Sequence, residues 1–191
     1  MNSLKLFISA VLLLNLSACV TVLDATIDGP IKTDPQERSF GTYIDDKNIK
    51  TIVSVNIKKA SAALDEAHVN VHVYNGVVLL TGEVQSQQQR DLASATTRKV
   101  HLVRQVYNEL QIQPKTGFFD RAADDFMQTK LKTRLLFNKD IDSDKVKIIV
   151  ENDVVYLMGL LTKVQTEKIT DVVRKQPGVK KVVRAVEYID D

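Results

Sequence analysis

The chain has 191 residues, 26% of them charged and 44% hydrophobic, the make-up of an ordinary globular protein with room for one or two small domains. Its 26 basic and 24 acidic side chains nearly cancel, which argues against a nucleic-acid partner, where a strong basic excess is expected. A lone cysteine, Cys19, rules out an intramolecular disulfide, so stability has to come from packed cores.

The first element is a leader. Lys5 precedes an apolar run at 6–16, and the small residue Ala18 stands before Cys19, the layout of a secretory signal peptide. The run falls short of the roughly 20 apolar residues that cross a bilayer. Leu16-Ser17-Ala18-Cys19 resembles a lipobox, the cleavage motif of bacterial lipoproteins. That resemblance implies removal of residues 1–18, a diacylglycerol on the Cys19 sulfur and an acyl chain on its new amino group, with no other cofactor. A secreted protein with an incidental thiol is the alternative, and it leaves the position of the sole cysteine unexplained. Residues 19–45 carry Gly29, Pro30, Pro35 and Gly41 with a net charge of −3, and read as an extended tether.

Asp46 is expected to cap a helix whose apolar positions Ile49, Ile52, Val53, Ile57 and Ala60 follow helical spacing. A hairpin follows. Val69, Val71 and Val73 alternate as in a half-buried strand, Asn75-Gly76 fits a two-residue type I′ turn, and residues 77–80 return. Ser86 and Gln89 fit a capping box that opens a second helix, running to about Lys99. A last strand carries Val103, Val106, Leu110 and Ile112.

The same order then recurs, 77 residues later at the hairpin. Met127, Leu131 and Leu135 repeat the first helix from about Asp124, and Val146, Ile148 and Val150 repeat the strand. Asn152-Asp153 replaces the turn, Thr162 and Gln165 the capping box, and Val179, Val182, Val186 and Tyr188 the last strand. The fold class is therefore α+β: two units of α-β-β-α-β, each a small mixed three-stranded sheet with two helices on one face and the other face partly wet. Units this small are marginal alone, which favours packing of the two copies.

This order, with Gly82 and Gly159 after the hairpins and the Val-x-x-Val endings, resembles the BON domain family, and with the lipobox it is similar to outer-membrane lipoproteins carrying two such domains. Asp34-Pro35, Ser39-x-Gly41-Thr42 and Asp45-Asp46 share in the likeness; Tyr43 departs from it. The resemblance implies BON domains at 46–113 and 124–191, a linker at 114–123, an outer-membrane location facing the periplasm, and a role in envelope integrity that extends to dividing membrane. It also implies binding of anionic phospholipid through the second domain.

No residue set suggests catalysis. His68 and His72 lie roughly 13 Å apart on one strand, too far for a shared metal ion, and are expected to be solvated. There is no second cysteine, no nucleophile elbow and no phosphate-cradling glycine loop. Asp45-Asp46 and Asp124-Asp125 are accounted for by helix capping. The repeats differ most in their first helices: Asn48, Lys58 and Lys59 become Phe126, Leu136 and Phe137. Phe126, Lys130, Arg134 and Phe137 fall within about 80° on a helical wheel, beside the core positions, with Phe118 and Phe119 upstream. Rings flanked by cations suit a bilayer interface with anionic headgroups. The competing expectations are that Phe126 and Phe137 seal the contact between the two domains, or that the stripe and the open sheet faces engage another envelope protein.

Overall fold

The computed structural model describes residues 38–190, so the leader, Cys19 and most of the tether lie outside the described residues. The described part is mixed α+β, with five helices and two small mixed sheets. In the first repeat, α1 (Phe40–Ala60) and a short α2 (Ala62–Glu66) precede β1 (His68–Tyr74) and β2 (Val77–Val84). Then come α3 (Gln87–Arg98), β3 (Gln105–Asn108) and β4 (Gln111–Ile112). The second repeat is α4 (Phe118–Leu136), a 3-10 turn at Ser143–Lys145, β5 (Val146–Glu151), β6 (Val154–Leu161), α5 (Lys163–Arg174) and β7 (Lys181–Tyr188).

Each sheet joins an antiparallel hairpin to a parallel strand, in the orders β1-β2-β3 and β5-β6-β7. The third line of the first sheet is broken. Asn108 turns its side chain to the Arg90 carbonyl and to the Leu110 N–H, and the ladder resumes only at β4. Both hairpin turns hold two residues at positive φ, Asn75 and Gly76 in one and Asn152 and Asp153 in the other, as type I′ requires. Gly82 and Gly159 stand where β2 and β6 pass the start of the preceding strand. A Cβ would lie 2.0 Å from the His68 carbonyl oxygen at Gly82 and 2.5 Å from that of Lys145 at Gly159.

Two boundaries differ from the expectation. α1 begins at Phe40 rather than just after Asp46, because Ser39 Oγ accepts the Thr42 N–H at 3.1 Å and caps the helix seven residues earlier. The end of the expected 19–45 tether is thus helical. α4 begins at Phe118 rather than Asp124, where the Asp120 carboxylate accepts the Gly117 N–H, so part of the expected 114–123 linker is helix.

Two of the four aspartates expected to cap helices, Asp46 and Asp124, do something else. Asp46, 4% exposed, accepts the N–H groups of Asn75 and Gly76, both at 2.8 Å. Asp124 accepts those of Asn152 and Asp153 at 2.7 and 3.1 Å. In each repeat one buried carboxylate ties the first helix to the hairpin turn and satisfies two turn donors.

One core lies between helices and sheet in each repeat: Ile49, Val53, Ile57, Val71, Val78 and Leu80 in the first, Leu131, Leu135, Ile148, Leu157, Ile169 and Val173 in the second. The other sheet faces are not wet. Tyr74, Val77 and Leu79 of the first sheet pack with Ile149, Tyr156, Met158, Leu160 and Ala185 of the second in a third core. The expectation of a partly wet face fails because each repeat supplies the cover for the other.

Candidate functional site

α4 buries Asp124, Leu131 and Leu135, packs Met127 against the second core, and turns its opposite face outward. Phe126 is 72% exposed and Phe137, the C-cap residue, 80%. Lys130 and Arg134 are exposed between them. With Thr129, Thr133 and the buried Gln176 these four line a shallow groove of about 540 Å³. Arg134 reaches the Gln176 amide oxygen at 3.4 Å, and no ion pair involves Lys130 or Arg134 among the described residues. Leu136 is 64% exposed, and Phe118 and Phe119 stand edge to face with centroids 5.8 Å apart, both open to solvent. The stripe is therefore a surface of rings and unpaired cations, and the expectation that it seals the contact between the repeats is wrong: the sheet faces make that contact.

A polar cluster that the sequence did not reveal lies at the junction of the repeats. Glu83 (1% exposed) and Glu151 (6%) face each other across it, on β2 and β5. Glu83 receives Asn152 Nδ2 of the second repeat at 2.6 Å and both the N–H and hydroxyl of Thr116 at 3.4 Å. Glu151 receives Asn70 Nδ2 at 2.8 Å and the Thr81 hydroxyl at 3.0 Å, both from the first repeat. His68 Nδ1 lies 2.9 Å from Glu83 and 3.8 Å from Glu151.

The spacing of His68, Glu83 and Glu151 would suit a metal ion. The proton arrangement favours another reading. Asn70 Nδ2, oriented by Glu151, also donates to His68 Nε2 at 3.2 Å, so Nδ1 carries the ring proton and gives it to Glu83. A metal on Nδ1 would turn an Nε2–H toward the Asn70 amide. The cluster works as a clasp between the repeats. Burial raises the Glu151 carboxyl, whereas on Glu83 hydrogen bonds from Asn152 and His68 outweigh burial and lower it.

His68 and His72 are not solvated as expected. His68 is half-buried in this clasp, and His72 sits beside Thr81, where burial and the Lys147 and Lys50 ammoniums push it down to about 3. No period or spacing in the sequence announces these contacts, because they join residues about 70 or more apart.

Two α-β-β-α-β repeats, each with a carboxylate on its hairpin turn and the two packed sheet to sheet, define the class. The BON domain pattern matches residues 45–114 and 123–190, and the chain belongs to the BON domain family. It is 32% identical over 190 residues to the outer membrane lipoprotein DolP of Haemophilus influenzae, covering 100% of this chain and 97% of that protein. It is also 33% identical to the 21 kDa hemolysin of Actinobacillus pleuropneumoniae, over 80% of this chain and 78% of that one. The osmotically-inducible protein Y of Escherichia coli is 27% identical over 79% of this chain and 76% of its own. This is a DolP-like, dual-BON outer-membrane lipoprotein. Among the described residues no helix is long and apolar enough to cross a membrane.

Proposed function

We propose that the protein is a non-catalytic envelope component that binds anionic phospholipid through the α4 stripe and, from the periplasmic side of the outer membrane, helps to maintain envelope integrity at dividing membrane. The observation that carries this reading is the pairing of exposed Phe126 and Phe137 with Lys130 and Arg134, on a helix that the contact between the repeats leaves open. Rings of this kind enter the acyl boundary while cations meet headgroups, each cation adding about 1 kcal/mol on an anionic surface. Acylation of Cys19 with a diacylglycerol and an N-linked chain would already anchor the protein stably. The stripe would then orient the domains and select anionic lipid rather than hold the protein on the membrane. An adaptor role keeps only this same helix face, since the sheet faces it would have used are covered.

The test uses residues 19–191 with Cys19→Ser, which retains all three cores. Binding to vesicles of phosphatidylglycerol and phosphatidylcholine should exceed binding to phosphatidylcholine alone and weaken with salt. Phe126→Glu should reduce it at least tenfold with an unchanged circular dichroism spectrum. Equal binding by this variant and the parent would remove the proposal.

A further inference from the structure

We propose that a second site, the cleft between α1 and α4, takes a single-chain anionic amphiphile, its head held by Lys47, Lys50 and Lys132 and its chain laid along Leu136 and the edges of β1 and β5. The cleft encloses about 720 Å³, within the range of small-molecule sites, and lies where β1 and β5, the outer strands of the two sheets, meet. Its two chemistries are separate. Val73, Val146, Ile148 and Leu136 give it an apolar side, and five cationic residues surround the rest: Arg38, Lys47, Lys50, Lys132 and Lys147.

Only two carboxylates line it, Asp46 and Asp144. Asp46 is already committed to the Asn75 and Gly76 N–H groups and to Arg38 at 2.7 Å. No carboxylate forms an ion pair with Lys47, Lys50, Lys132 or Lys147 among the described residues. Lys147 is half-buried, and its ammonium donates to the Val73 carbonyl at 3.3 Å. Burial and the neighbouring Lys50 and Arg38 charges push it down to about 8. A protein that keeps a half-buried amine among like charges leaves a place for an anion, which would relieve the repulsion. A free phosphate would do so without using the apolar side, and a plain alcohol would use only that side. An amphiphile uses both.

The site goes beyond the membrane stripe, although Thr129 and Thr133 of α4 border both. Decyl phosphate, kept below its micellar concentration, is titrated into residues 19–191 with Cys19→Ser and followed by calorimetry and amide shifts. Saturable one-to-one binding is expected, with shifts at Lys47, Lys50, Lys132 and Lys147. The exposed pair Lys50→Gln/Lys132→Gln should weaken it at least tenfold, whereas Phe126→Glu should leave it unchanged while losing vesicles. Equal affinity for inorganic phosphate or for decanol would overturn the proposal, as would an unaffected double variant, no saturation, or shifts confined to the Phe126 stripe.

Discussion

Asp46 and Asp124 show how much one side chain can carry. Each is a buried carboxylate bonded to two turn N–H groups. Truncation would leave two donors without a partner, at about 1–3 kcal/mol for each buried group. Asp124→Ala should therefore destabilise by about 3 kcal/mol in urea unfolding, and Asp124→Asn, which keeps one acceptor, by less. His72 makes a second prediction. Its folded pKa, about 3, lies below the unfolded value near 6.5, so its contribution is full above pH 6.5 and is lost as pH falls toward 3. Glu83, also lowered, acts in the same direction, while Glu151, raised, opposes them by favouring the native state as it takes up its proton. His72→Gln, which can still donate to Thr81, should flatten the acid limb of stability against pH. An equally steep limb in that variant would show that His72 titrates normally in the fold.

At the scale of elements, the two glycines after the hairpins are the tightest points. Gly82 has φ +109°, and a side chain there would strike the His68 carbonyl; Gly159 has the same crowding against Lys145. Alanine at either place must push β1 or β5 away from its partner, and a loss of about 3 kcal/mol or more is expected, read as a lowered urea midpoint at unchanged slope. Much at this scale was legible beforehand. Alternating valines, Asn75-Gly76 and Thr162 with Gln165 each encode local geometry, and each stands where its pattern places it. The starts of α1 and α4 were not, since Ser39 and Gly117 cap at points where no apolar periodicity marks a beginning. The Asp-to-turn bonds were not either. A carboxylate near a helix start reads as a cap unless its partner, 29 residues away, is known. The Phe126 stripe was legible because divergence between two copies of one unit exposes what the shared fold does not require.

For the whole molecule, the third core decides behaviour. Leu79, Tyr156 and Met158 are almost completely buried between the sheets, and neither repeat can cover them alone. The full chain should unfold in one transition, and the second repeat expressed alone should be unstable or aggregate. Met158→Asp, which leaves an unpaired charge in that core, should uncouple the repeats and split the transition. The connection at 113–117 bears on this. It is short and not slack: Gln113 donates to the Val84 carbonyl, and Thr116 is bound to Glu83, which also receives Asn152 from the second repeat. A short connection holds its two ends at an effective concentration on the order of millimolar, so a contact too weak to join separate chains is saturated within one. Cutting there would turn an intramolecular fold into a bimolecular equilibrium. Two anchored neighbours could then exchange halves, at a rate set by how densely the membrane carries them.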